Sequence, residues 1–407
     1  MANTIKKSNA LKLINIIKNS GQITKPEISA LSGFTSVTVH NFVNELVEKN
    51  IILEEGSADS NGGRRAVLYR FNSKLYNIIG IIVGVKRIIV SLFDLDLNIL
   101  DSISNRCKLD LLTVDEGIRL ILDMVNSLIK KSGIDKEKII GIGVSTPGPV
   151  NYSKGLIYNL PNLPKWRNIP IKEIIESEMK LPVYVDRDNN AVLLSLKWKN
   201  MLKSTDNVVY LCTAEGIGTG ILMNGEVFRG NHAVAGEFGH ITVDMDGPRC
   251  NCGNSGCIEL YASDMAIINT LCAELESKKQ GILYDLCSGD SGRINIPLAV
   301  EAAKKGDNFV KEVFQKAGKY LGVCISNVLK VCAPTEVILE STWLGEFSDI
   351  YYSILDFVYE TSNFFERNDV TITLNTFKDS FIVGSATIVL DNLFKTCEGN
   401  KLLSQIG

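Results

Sequence analysis

His240, Cys250, Cys252 and Cys257 follow one another with the spacing His-x9-Cys-x-Cys-x4-Cys, and together hold one of three histidines and three of ten cysteines. Gly247, Gly253 and Gly256 let the backbone between them fold tightly enough to bring the four donors together. One imidazole nitrogen and three thiolates match a closed tetrahedral Zn2+ site of the structural kind, with no position left for water. A disulfide is disfavoured, because Cys250 and Cys252 stand too close to pair and nothing else suggests export. Acids flank the clip on both sides: Glu237 precedes His240 and Glu259 follows Cys257. A metal-bound histidine hands its second nitrogen to another group. The clip is therefore expected to hold Glu237, His240 and Glu259 around a polar ligand.

The surrounding elements read as an α/β body. Ile78 to Phe93 alternates glycine with β-branched residues and predicts two strands turning at Gly84. A helix over 120–131 and a buried strand over 139–144 follow, leading into Ser145-Thr146-Pro147-Gly148-Pro149. Pro182-Val-Tyr-Val-Asp-Arg-Asp188 is a strand that ends in acids, and ligands gather at such strand ends in α/β folds. The glycine-rich run 216–220 either cradles a phosphate with bare amides or serves a tight hairpin. Trp166 either stacks on a ligand ring or plugs the core. Two long helices, a strand over 334–339 and a last helix opened near Phe381 complete the body.

The first seventy residues differ in kind. A helix over 9–18 is closed by Ser20-Gly21. Thr24, Pro26 and Glu27 form a capping box that starts a second helix, Ser32-Gly33 turns the chain, and a third helix runs from Thr35 to about Lys49. Two short helices about a glycine turn predict a helix-turn-helix. Its outer face carries Ser36, Thr38, His40, Asn41 and Asn44, whose hydroxyls and amides can bond phosphates and read base edges; for His40 a simple solvated position is the alternative. Strands at 51–53 and 66–71 predict a β-wing whose tip bears Arg64 and Arg65, suited to DNA backbone or minor-groove contact.

At 407 residues the chain is long enough for two or three domains, and a net charge of −3 excludes a uniformly nucleic-acid-coated protein. The charge is uneven. Residues 1–72 carry nine Lys/Arg against six Asp/Glu, and the remainder carries 34 against 40. A basic N-terminal piece on an acidic body suits a DNA-binding module joined to something else. There is no apolar run of membrane-spanning length, lysines interrupt the start, and ten cysteines in a chain this long without a secretion signal indicate a reducing cytoplasm.

Ala235-Gly-Glu-x-Gly-His240 followed by Cys-x-Cys-Gly-x-x-Gly-Cys-x-Glu259 closely resembles the signature of the ROK family of repressors and sugar kinases. The N-terminal segment is similar to the winged helix-turn-helix of its repressors, Gly-Gly-Arg-Arg included. The resemblance implies residues 1–72 as DNA-binding domain and 73–407 as a two-lobed, actin-like (ribonuclease-H-like) sugar-binding body. It implies Asp188, Glu237, His240, Glu259 and the loop residue Asn162 as sugar contacts, Asp188 matching the base of the kinases. Arg187 stands where the family has asparagine. The phosphate-loop acid and hydroxyl of the kinases are absent from Ile82-Val-Gly-Val-Lys86, and an apolar Ile82 cannot hold magnesium. Glu340-Ser341 replaces the paired glycines beside adenosine. The expectation is a sugar-responsive transcriptional repressor without catalysis, homodimeric or a dimer of dimers, on a pseudo-palindromic double-stranded DNA operator. A sugar kinase with an appended DNA-binding domain is one alternative, and a regulator whose input is a partner protein rather than a sugar is another.

Overall fold

The computed structural model describes residues 2–57, 66–107, 109–160, 163–202, 206–231, 234–361, 366–367 and 369–395. The chain opens with α1 (Ala2–Ser20), β1 (Ile23–Thr24), α2 (Lys25–Ser32), α3 (Ser36–Glu48), β2 (Ile52–Ser57) and β3 (Val67–Phe71). Glu27 accepts hydrogen bonds from the Thr24 amide at 2.8 Å and from its hydroxyl at 2.7 Å, fixing the start of α2. Gly33 ends that helix at φ 70°, and the Thr35 hydroxyl caps α3 through the Thr38 amide at 3.2 Å. β2 and β3 pair antiparallel as the wing, and β1 lines the other edge of β3. α1 starts seven residues earlier than the periodicity of 9–18 suggests. A Lys6–Glu45 ion pair of 3.0 Å holds that polar first stretch against α3.

The body repeats one sheet plan twice. In the first lobe, β4 (Asn77–Val83), β5 (Ile88–Asp94), β6 (Ile99–Asn105), β7 (Ile139–Thr146) and β11 (Val183–Arg187) form a sheet in the order β11-β7-β4-β5-β6. β4, β5 and β6 form an antiparallel meander, while β7 and β11 run parallel to β4. In the second lobe, β12 (Val208–Thr213), β13 (Ile217–Met223), β14 (Glu226–Val227), β15 (Glu336–Ser341) and β16 (Thr371–Leu374) are ordered β14-β13-β12-β15-β16. The same antiparallel meander followed by two parallel strands recurs. This duplication is the ribonuclease-H-like, actin-like arrangement. A meander of β8 (Val150–Asn151), β9 (Leu156–Leu160) and β10 (Leu163–Ile169) is inserted in the first lobe.

Helices cover both sheets. α4 (Val114–Ser132) and α5 (Ile171–Met179) bury Ile121, Val125, Leu128 and Ile175 against the first sheet. On the second lie α7 (Glu259–Ala262), α8 (Asp264–Ser277), α9 (Ile282–Leu286), α10 (Ile296–Lys304), α11 (Asn308–Cys332) and α12 (Ser348–Glu360), around a core that includes Phe314, Leu321 and Trp343. α6 (Asp188–Trp198) sits between the lobes, with α13 (Ser380–Lys395) beside it. Gly143 lets α13 lie on the sheet, since any Cβ there would run into the Ser385 backbone. Among the described residues no helix is long and apolar enough to cross a membrane.

The core of the winged helix runs without a break into the base of the first lobe. Leu13, Ile14 and Ile17 of α1 share one apolar cluster with Ile78, Phe93 and the α13 residues Leu390 and Phe394. Phe394 meets Phe71 edge-on at 6.1 Å and Trp198 at 5.1 Å, and the Lys18 ammonium lies 3.3 Å over the Trp198 ring. Burial lowers the Lys18 pKa to about 8. α6 thus touches the winged-helix module with its last residue and begins at the interlobe cleft with its first.

Candidate effector and metal site

The segment between β14 and α7 folds back on itself through two isolated bridges, Thr242 with Cys257 and Arg249 with Ser255. Gly253 at φ 101° and Gly256 at φ 62° make the tight turns possible. The Nδ1 or Nε2 of His240 and the sulfurs of Cys250, Cys252 and Cys257 all lie within 4.8 Å of one another. Cys250 Sγ stands 3.6 Å from His240 Nδ1, and Cys252 Sγ stands 3.6 Å from Cys257 Sγ. A tetrahedral zinc with ordinary Zn–S and Zn–N lengths requires ligand atoms roughly 3.5–3.8 Å apart. The four donors therefore fit a metal ion. Burial, then the neighbouring thiols, push Cys257 up to about 12, so three thiolates in this space require a cation. Nδ1 is the nitrogen turned to the sulfurs, which leaves Nε2 for a partner on the other side of the ring.

Three of the expected sugar acids gather about the start of β13. Glu259, the first residue of α7, accepts the Ile217 amide at 2.9 Å and lies against Gly216. Glu237 leads into the short turn that carries His240, and Arg187 donates to it at 2.7 Å. Asp188 opens α6 and accepts the Asn189 amide at 2.7 Å. Its edge stays open to the cleft, yet the depth of the site raises its pKa to about 6; Glu237 and Asp186 add to that rise, while the Asn189 amide and Arg187 oppose it. Asn162 lies outside the described residues. Trp166 is fully buried against Gly117 of α4. It plugs the core of the first lobe rather than stacking on a ligand.

Two arginines cross the boundary between the lobes, and sequence reasoning gave this no weight. Arg187 reaches from the first lobe to Ala235 O at 3.0 Å and Thr219 O at 2.5 Å as well as to Glu237. Arg229 returns from the second lobe to Asp186 at 2.5 Å. Their only signal in the sequence was the arginine in an asparagine position.

Glu340, which the resemblance puts in place of the kinases' paired glycines, lies on β15 and is tied into the second lobe. Glu340 accepts from the Tyr210 hydroxyl at 2.8 Å and from Asn375 Nδ2 at 2.5 Å. Lys86 and Glu215 pair at 2.7 Å across the cleft, joining the loop after β4 to the loop before β13. Gly218 and Gly220 are strand residues, not an open phosphate cradle: a Cβ at Gly220 would come within 2.6 Å of Asn189 O. They are small so that the first turn of α6 can lie on β13.

On α3, Ser36, His40, Asn41 and Asn44 are exposed. Thr38 is half-buried and spends its hydroxyl on Thr35 at 2.8 Å. Asn44 donates to His40 Nε2 at 2.9 Å and accepts from Lys25 at 2.8 Å, while no hydrogen bond engages Asn41 among those described. Arg64 and Arg65 lie outside the described residues.

The sequence model of the ROK family matches residues 78–391. The chain belongs to the ROK family. The match starts just past the winged helix. The "Xylose repressor" of Caldicellulosiruptor bescii is 30% identical over 347 residues, covering 84% of this chain and 85% of the relative. A crystal structure described as a ROK family transcriptional regulator, homolog of the Escherichia coli Mlc protein, aligns with TM-score 0.84 and 25% identity over 99% of each chain. A ROK glucokinase from Streptomyces griseus, solved with glucose and AMPPNP, aligns with TM-score 0.66 and 23% identity over 77% of this chain and 99% of its own. That last likeness carries the fold alone. The match along the full length to a regulator, and only along the body to a kinase, supports a sugar-responsive ROK repressor over a ROK sugar kinase.

Proposed function

We propose that this ROK protein is a zinc-containing, non-catalytic repressor that binds a pseudo-palindromic operator as a homodimer and releases it when a sugar enters the interlobe cleft. The observation that carries this reading is the gathering of Asp188, Glu237 and Glu259 about the start of β13 beside the His240 turn, while Glu340, held by Tyr210 and Asn375, stands in place of the kinases' paired glycines. Asp188, Glu237 and Glu259 accept sugar hydroxyls. His240 holds the zinc through Nδ1 and presents Nε2 to the sugar or to a neighbour that orients it. Zinc supplies no chemistry here beyond fixing the turn that carries His240 and Glu237. α6, about 16 Å long at 1.5 Å per residue, links Asp188 at the cleft to Trp198 under α1. A sugar that binds one lobe arrangement more tightly than the other shifts operator affinity by that difference. The deciding experiment is an operator-binding titration with a panel of sugars: release by one sugar at a concentration matching its calorimetric affinity supports the reading, and indifference to all of them refutes it.

Catalysis is expected to be absent. Phosphoryl transfer rests on positioning Mg2+ and the γ-phosphate, and Ile82 offers no ligand for either. A coupled assay with Mg-ATP and hexoses should show no turnover. A rate of roughly one per second or faster, as kinases reach, would overturn this.

On α3, Asn41 is the residue best suited to read a base, because it is exposed and uncommitted, whereas Asn44 is held by His40 and Lys25. Asn41→Ala should weaken operator binding by about 1–3 kcal/mol and leave random DNA nearly unaffected. Equal losses on both in a salt-matched binding assay would assign Asn41 to the phosphates.

A further inference from the structure

We propose that Val37 is a base-reading residue, and that its isopropyl group packs on the 5-methyl group of a thymine in the major groove of the operator. The inference rests on α3 lying in that groove. Val37, His40, Asn41 and Asn44 are exposed and spaced i, i+3, i+4 and i+7, so they form one stripe along the helix. The opposite face buries Val39, Val43 and Leu46. Within the stripe Val37 is 72% exposed, the barest large apolar side chain of the winged helix among the described residues. A lone apolar group on a surface is ordinary. This one stands in the first turn of α3, the end from which recognition helices reach base edges.

The neighbours decide what Val37 can read. His40 and Asn44 hold each other at 2.9 Å, and Lys25 reaches Asn44 at 2.8 Å and His40 Nδ1 at 3.4 Å. That end of the stripe is closed on itself beside a cation, as suits the phosphate backbone. Val37 and Asn41 are left for base edges. A valine side chain has no polar atom, and the apolar feature that a base pair presents in the major groove is the thymine methyl. A helical valine is held in essentially one rotamer, and the Thr35 cap on the Thr38 amide at 3.2 Å fixes the turn that carries it. The knob is therefore rigid, and packing it costs little side-chain entropy. Val37 and Asn41 stand about 6 Å apart along the axis at 1.5 Å per residue, close to two base steps of about 3.4 Å. The thymine should therefore lie within about two steps of the base that Asn41 reads in each half-site. The excess of Lys/Arg over Asp/Glu, nine against six over residues 1–72, suits the same occupant.

The test uses the full-length protein and an operator that wild type selects from random duplex DNA. Deoxyuridine, which lacks the 5-methyl group, replaces each symmetry-related pair of thymines in turn. At one pair wild type should lose about fourfold in affinity per half-site, the worth of one buried methyl group, and about 16-fold over both half-sites. That pair should lie within about two steps of the position whose preference Asn41→Ala relaxes. Val37→Ala should bind the thymine operator more weakly by a similar factor and no longer tell thymine from uracil there. Its thermal midpoint should match that of wild type, because the side chain is exposed. Val37→Thr keeps one of the two methyl groups and should retain part of the discrimination. Indifference of wild type to uracil at every thymine overturns the assignment. So does Val37→Ala that keeps the full uracil penalty, or that loses affinity equally on random duplexes. A selection that yields no preferred sequence would sink the reading of α3 as a base-reading helix, and this inference with it.

Discussion

Cys252→Ser is expected to lower bound zinc from one per chain to well below one and to depress the thermal midpoint of the protein by roughly 5–10 °C. Cys252 is the exposed ligand, whereas Cys250 and Cys257 are buried. The substitution therefore removes a metal ligand without burying a hydroxyl in the core, and the loss it reports is that of the metal. Structural zinc contributes on the order of 10–16 kcal/mol to the folding of small zinc modules. Here the clip is one turn of a lobe with a large core of its own, so a fraction of that figure is expected. The same chelation stands directly before α7, whose first residue is Glu259, and directly after Glu237. Effector response should weaken in parallel with zinc content, while operator binding without sugar should persist, because α3 lies outside the clip. Elemental analysis, thermal melts and operator titration check the three parts. A purified wild-type protein with well under one zinc per chain would refute the premise.

What the sequence revealed of this molecule divides by distance along the chain. The metal-binding cluster was legible because its four donors fall between residues 240 and 257 and its turns need glycine. The winged helix was legible because Thr24, Glu27, Gly33 and Thr35 carry their own caps. The start of α1 was not, since its order depends on the distant Glu45. Trp166 could be read two ways until Gly117 was found beneath it. The glycines of β13 allowed a phosphate cradle on paper, and their real neighbour is Asn189, a residue on another element. Arg187 and Arg229 were least legible of all. Their acceptors lie 32 to 50 residues away, and no local pattern announces an exchange of arginines between lobes.

Asp188→Asn should yield a repressor that binds its operator and zinc normally and ignores its effector. The change is nearly isosteric, and an amide oxygen can still accept the adjacent Asn189 amide at the start of α6. What disappears is a carboxylate able to accept two hydroxyl hydrogen bonds, which are stronger than those to a neutral acceptor. A cleft-facing acceptor turned into a donor faces a sugar hydroxyl wrongly, and a loss of about 1.5–3 kcal/mol in effector affinity follows. The pKa of about 6 makes a second outcome specific to this residue. Because the folded-state value lies above the ordinary 3.8, the folded protein holds the extra proton, and stability from this group falls as pH rises from about 4 to 6. Above pH 6 wild type carries the cost of an ionised carboxylate in the cleft and Asp188→Asn does not. The variant should therefore be more stable than wild type at pH 7.5, by about 1–3 kcal/mol, and the difference should vanish towards pH 4. Effector affinity of wild type should fall below pH 6, where Asp188 is protonated, and the variant should show no such dependence. A variant that is less stable at pH 7.5, or that releases operator at the wild-type sugar concentration, would move the pocket away from α6 and break the proposed link between the cleft and the DNA-binding helices.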